Sequence, residues 1–317
     1  MKKRTKKHLS ILVGMLLVLS VGSEMYLRLA WGFCDSVLMQ SDPDFEYIAQ
    51  PDQNRYRFKK HVIYNEYSQR SNPVDSSAFV ILGLGDSVLN GGVQTDQDST
   101  ATSRLCESLS ALKGYKVQVL NISAGSWGPD NCEAYLKRFG LFNGQAAFLI
   151  CSSHDAHDNI NHQPVLDIDP GFPGRQYMSA WIELFDRYLI PRYVNPCFAA
   201  LKAGTGNHGF SEISKDGKVF NPGFKALTNR FRQAGIPFFI WLHPEQTELK
   251  TGEYNNEGKE IITFCKKDSV PLIEGMNYMS VDDYRDAIHL NEKGQAVLAL
   301  HLCECLTKTV NGNQSIK

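Results

Sequence analysis

Apolar and polar positions along this 317-residue chain fall into repeating blocks. Five short runs, "AFVILGLG", "KVQVLNIS", "AAFLICSS", "IPFFIWLH" and "SVPLIEG", are rich in Val, Ile and Phe and end in Gly, Ser, Asn or His. Each is too short for a typical helix, so each predicts a strand. Between them lie segments of helical character. "DSTATSRLCESLSALKG" opens on a Ser/Thr/Asp cluster and closes on Gly, and "NCEAYLKRFG" and "NPGFKALTNRFRQAG" close the same way. The stretch "NEKGQAVLALHLCECLTKTV" carries an apolar stripe of helical period. Strands alternating with helices predict βαβ units and a mostly parallel sheet. Near-continuous apolar strands fit a sheet covered on both faces. In such a sheet ligands bind beyond the carboxyl ends of the strands, where the polar residues after each run converge.

Two stretches break this rhythm. Residues 34–78 are polar and turn-rich, a leader that precedes the regular body or packs on it. Residues from about 160 to 220 are long for a crossover. They predict either a structural insertion or helices and a loop over the site, where substrate choice would reside. Ahead of both, "MKKRTKKH" precedes the apolar "LSILVGMLLVLSVG", the layout of a signal sequence. Residues 1–33 therefore read as an uncleaved anchor, or as a signal cleaved near Val21 and Ser23. Positive charge on the amino side predicts translocation of the rest, hence an extracytoplasmic body.

Composition narrows the function. With 43% hydrophobic residues the chain can bury a substantial core, and its net charge of −1 gives no footing for nucleic acid. The eight cysteines include no CxxC, and those in helix- or strand-like segments read as small apolar residues rather than a disulfide framework.

"GLGDSVLNGG", Gly83 to Gly92, holds Ser87 at the corner where the first strand would turn into a helix. A serine there becomes a nucleophile once a base takes its proton. "DAIHLNEKG" offers that base: Asp286 and His289 stand three apart before the last helix, so the carboxylate can fix the imidazole's tautomer. "NISAGSWGPDN" follows the second strand with Gly125 and Gly128; glycine lets backbone N–H groups approach a substrate. "CSSHDAHDN" follows the third strand with His154, Asp155, His157, Asp158 and Asn159.

These blocks together resemble the SGNH (GDSL-type) hydrolases. "GDS" matches the family's first block and "DAIHLN" its last, over roughly residues 79–307. The resemblance implies a flavodoxin-like three-layer α/β/α sandwich within residues 79–317, with a central mostly parallel sheet. It also implies ester hydrolysis without a metal or cofactor. Ser87, His289 and Asp286 would form the triad, with the Ser87 and Gly125 N–H groups in the oxyanion hole. Where the family has Gly-x-Asn-Asp this chain reads "SSHD", so the asparagine's place falls to His154. Asp155 would then set the His154 tautomer, or Asn159 would supply the missing amide. "HDAHD" also looks like a metal cluster, but the block alignment already accounts for His154 and Asp155, and no metal is expected. Trp127 either stacks on a sugar face or covers the glycine turn. His243 either touches substrate or is a plain loop histidine. Asn65 and Arg70, in "YNEYSQR", either reach the site from the leader or, the preferred reading, lie at the surface. The expected activity is hydrolysis of a small acyl ester, acetyl on a carbohydrate or cell-envelope glycan. O-acyl transfer between glycans and non-catalytic glycan binding are the alternatives.

Overall fold

The five apolar runs become one sheet. In the computed structural model, which describes residues 2–194, 215 and 217–314, strands β5 (Phe79–Gly85), β6 (Val117–Ser123), β7 (Ala146–Ser152), β8 (Phe238–His243) and β9 (Leu272–Glu274) pair in the order β6-β5-β7-β8-β9. Every pairing is parallel. The chain builds outward from β5 in one direction to β6 and then in the other to β7. This reversal leaves a crevice at the carboxyl ends of the central strands.

The alternation of side chains along each strand sorts the core into two layers. Val80, Leu82, Leu84, Leu120, Ile122, Ala147 and Leu149 face one side. There they meet α4 (Pro129–Phe139), α6 (Gly223–Ala234) and α8 (Asn256–Asp268) through Tyr135, Leu136, Phe224, Phe231 and Ile261. Ile81, Val119, Phe148 and Ile150 face the other side and pack on α3 (Ala101–Lys113) and α9 (Glu292–Gln314) through Leu105, Leu109, Leu298 and Leu302. The result is the three-layer sandwich. Local chemistry sets the helix ends. The Thr100 side chain accepts a hydrogen bond from the Ser103 N–H at the start of α3, and Gly114 closes that helix at φ 72°.

The leader is ordered and folded onto this body. It forms two antiparallel hairpins, β1 (Met39–Asp42) with β2 (Glu46–Ala49), and β3 (Gln53–Arg57) with β4 (Lys60–Tyr64). Phe45 and Tyr47 are buried among Trp127, Tyr135 and Phe172. Ahead of it, α1 (Lys2–Trp31) contains one stretch, Lys6–Trp31, long and apolar enough to cross a membrane. The insertion contributes α5 (Ala180–Glu183), which winds on through a π-helical stretch at Leu184–Val194. Part of the insertion, residues 195–214 and 216, lies outside the described residues. Cys132, Cys151 and Cys265 are buried as small apolar residues within the core.

Candidate active site

Packing explains the glycines before Ser87. A Cβ on Gly85 would stand 3.0 Å from the Ile150 carbonyl oxygen and 3.1 Å from Leu89 Cβ, so any larger residue would force β7 or the helix that follows β5 to give way by a few tenths of an ångström. That helix, α2 (Ser87–Asn90), is capped by Asp86, whose Oδ1 accepts from the Val88 N–H at 2.8 Å. Gly91 ends α2 at φ 75°. Ser87 is thus the first residue of a tightly held helical turn, and its N–H lies outside the helix's own bonding.

His289 Nε2 lies 3.0 Å from Ser87 Oγ. On the other side of the ring, Nδ1 lies 2.9 and 3.0 Å from the two Asp286 oxygens. Asp286 also accepts from the backbone N–H groups of His289 (2.8 Å) and Ile288 (3.1 Å). Burial works against the Asp286 anion, but these donors and the nearby His289 outweigh it and hold the carboxyl below its ordinary range. The carboxylate therefore stays charged, so Nδ1 carries a proton and Nε2 is free to accept one from the serine.

Gly125 opens the turn after β6, and its N–H has no hydrogen-bond partner among the described residues. Its carbonyl accepts from the Tyr47 hydroxyl at 2.9 Å, which orients the peptide unit. Ser87, Gly125, Asp286 and His289 line a single cleft of about 340 Å³. The leader supplies Val37, Met39, Phe58 and Tyr64 to its wall, and the insertion supplies Phe172, Arg187 and Tyr188.

His154 stands behind this corner and does not line the cleft. Its Nδ1 is 3.2 Å from Glu245 Oε1. Its Nε2 is 3.9 Å from Asp86 Oδ2 and 4.0 Å from Asp158 Oδ2, too far for a hydrogen bond to either. Burial alone would lower the His154 pKa, but the charges of Asp155, Asp86 and Asp158 and the bond to Glu245 raise it well above 6.5. Burial likewise pushes Asp86, Asp155 and Asp158 up, Asp158 to about 6, and in each case His154 is the charge that opposes the push most. Donor atoms of Asp86, His154 and Asp155 lie within 4.8 Å of one another, a grouping a cation could use. The imidazolium already supplies positive charge at that point.

Several expectations need correcting. Glu245, not Asp155, holds the His154 ring; the Asp155 Oδ2 is taken by the Ser152 N–H at 2.7 Å, and the residue is buried away from substrate. Asn159 does not supply the missing amide, since its carboxamide is placed to donate to the carbonyls of Val219 (3.1 Å) and His157 (3.2 Å). Trp127 is 1% exposed, with Nε1 donating to the Tyr47 carbonyl at 2.9 Å; it covers the glycine turn and cannot meet a sugar. His243 is fully buried, its Nε2 2.9 Å from the Ile288 carbonyl oxygen, so it braces the loop carrying His289 rather than touching ligand. Asn65 and Arg70 are buried, not at the surface. The Arg70 guanidinium donates to the carbonyls of Asn90, Gly92 and Thr95, fixing the loop behind Ser87. Nothing in "YNEYSQR" signals this, because the carbonyls it serves belong to a distant segment.

No protein-family model and no curated protein matches the chain. Among solved structures it is similar to a lipase/acylhydrolase from Enterococcus faecalis, at 11% identity and a TM-score of 0.42, covering 73% of this chain and 96% of that one. A psychrotrophic esterase from Pseudoalteromonas sp. (12%, 0.41, 74% and 99%) and a carbohydrate acetylesterase family member from Sinorhizobium meliloti (12%, 0.39, 73% and 99%) are similar to about the same degree. Likeness at this level says nothing about substrate. The chain's own sheet order, its sequence blocks and the Ser87–His289–Asp286 geometry resemble the SGNH (GDSL-type) hydrolases.

Proposed function

We propose that the chain is a serine esterase held at a membrane by α1, its body extracytoplasmic. The observation that carries the reading is the continuous Ser87–His289–Asp286 hydrogen-bonded chain at the mouth of a cleft beyond the sheet's carboxyl ends. Ser87 attacks the ester carbonyl carbon while His289 Nε2 takes its proton. The resulting oxyanion is held by the N–H groups of Ser87 and Gly125. His154, outside the cleft lining, adds positive charge beside Asp86 at the corner that carries Ser87. The His289 imidazolium then protonates the leaving alcohol, and water enters by the same route to release the acid. Val37, Met39 and Phe172 offer the acyl group an apolar wall, and a short acyl ester, acetyl on a glycan, is the substrate class we assign.

A fluorophosphonate probe tests the nucleophile directly. The full chain in detergent is expected to label stoichiometrically, and Ser87→Ala not at all. A folded wild type that stays unlabelled would make the domain a binding module. Transfer to a sugar hydroxyl in place of water is the second reading. Product partition with added acceptor alcohol separates the two.

A further inference from the structure

We infer that the helix formed by residues 180–194 is a second membrane-contact element that sets the cleft at the lipid surface, so that the ester substrate is one resident in the bilayer. This deepens the esterase reading and rests on it for the substrate, but the membrane contact stands on its own observations.

The first observation is where α1 meets the body. Lys6–Trp31 spans about 39 Å as a helix, against a hydrocarbon thickness of about 30 Å. Its last turns therefore reach the headgroup region, where Trp31 sits as interfacial tryptophans do. The body is fastened to these turns. Glu24 accepts from the N–H groups of Ala180 (2.8 Å) and Trp181 (3.2 Å) and from Ser179 Oγ (3.0 Å). Arg28 donates to the Glu24 carboxylate and to the Met178 carbonyl, and Trp181 Nε1 donates to Ser23 Oγ at 3.1 Å. These bonds supply partners for a Glu–Arg pair seven and three residues from the end of the apolar helix, a depth at which unpartnered charge is costly.

The second observation is what the fastened helix shows to its surroundings. Among the described residues, Met178 is 93% exposed, Ile182 58% and Phe185 50%. Met25, Tyr26 and Leu29 are exposed on the turns of α1 that carry the bonds to residues 178–181. Large apolar side chains exposed on both of these bonded segments call for an occupant. Continuity with the membrane-crossing helix makes that occupant the bilayer, with the apolar side chains immersed at the interface as on a surface-lying helix.

The third observation joins this surface to the chemistry. The same helix presents Arg187 and Tyr188 to the cleft. Phe58, also in the cleft wall, donates its N–H to the Trp31 carbonyl at 2.9 Å. The cleft thus begins where the membrane helix ends. An ester carried on a membrane-anchored molecule has a short path to Ser87.

The test uses the full chain in lipid nanodiscs. In a Trp31→Phe background, Trp181 is the one tryptophan near this surface, Trp127 and Trp241 being buried in the body. Discs containing bromine-labelled acyl chains are expected to quench its fluorescence, and a further Trp181→Phe change to abolish that quenching. Equal fluorescence in brominated and plain discs would overturn the membrane contact, whether or not the protein is an esterase. For the substrate, acetylated dodecyl glucoside carried in the disc is compared with acetylated methyl glucoside in solution. Met178→Ser/Ile182→Ser/Phe185→Ser is expected to lower turnover of the anchored ester at least fivefold and leave the soluble one unchanged. Equal effects on both would overturn the substrate assignment. Turnover of neither by the wild type, with no fluorophosphonate labelling, would sink the esterase reading instead, leaving the quenching result to decide the contact.

Discussion

Four carboxyl groups face the His154 imidazole, those of Glu245, Asp86, Asp155 and Asp158, and together they outweigh the burial that would discharge it. Because the folded pKa lies above 6.5, the charged form persists past neutrality and is lost only as pH rises through the raised value. If the charge helps hold the oxyanion, turnover falls along an alkaline limb. Glu245→Gln, which keeps a hydrogen-bonding group but removes one anion, should move that limb to lower pH. His154→Asn should erase the limb and retain more activity than His154→Ala, since the amide restores a donor; pH–rate profiles of the three variants check this. Equal losses in the two His154 variants would remove the side chain from the oxyanion site. The sequence marked His154, Ser87, Asp286 and His289 because each sits in a short block with a chemical pattern. It could not mark Glu245, or the carbonyls that Arg70 serves, because these partners lie on distant segments and are close only in space.

At the scale of elements, a buried ion pair joins the leader to the insertion. Arg57 Nη2 is 2.5 Å from Glu183 Oε1, and both side chains are almost fully buried. Glu183 also accepts from the Cys34 N–H and Ser36 Oγ, and Arg57 donates to the Tyr188 hydroxyl. Arg187 Nη1 also reaches Glu183 Oε1 at 3.4 Å, so removing Arg57 leaves the carboxylate partly paired, and Arg57→Met should cost less than the roughly 3–5 kcal/mol of a fully stranded buried charge. Adding Glu183→Leu should return most of that loss; denaturant unfolding of the single and double variants measures it. No similar clue was open to sequence reading here. The hairpins of residues 39–64 have mixed burial, as in β3 and β4, because one cleft-side wall and one body-side face do not produce clean alternation. Helix α8 carries no comparable pattern in the sequence. Its buried positions number only Gly258, Ile261 and Cys265, a stripe too thin to stand out among lysines and glutamates. The sheet strands and α3, α4, α6 and α9, buried along whole faces, were legible for the opposite reason.

For the whole molecule, stability should depend on pH through His243. Burial holds its pKa down at about 4, so the native state keeps it neutral while the unfolded chain binds a proton near pH 6.5. The stability this contributes is complete above about 6.5 and is lost as pH falls towards 4, amounting to about 3 kcal/mol. His243→Gln, which keeps a donor for the Ile288 carbonyl without taking up a proton, should flatten the acid side of the stability curve; unfolding midpoints between pH 4 and 7 provide the comparison. A loss of the same steepness in the variant would assign the acid sensitivity to carboxylates held below their ordinary range, such as Glu46, Glu245 and Asp286. The architecture has one further consequence. Ser87 and His289, touching in the folded molecule, are 202 residues apart along the chain. On the topology proposed above, a body drawn through a translocation channel behind α1 exposes its serine long before the histidine arrives. Until the last block clears the channel the hydroxyl has no base, so on that topology the chain would be chemically silent in transit and acquire its reactivity only on the far side.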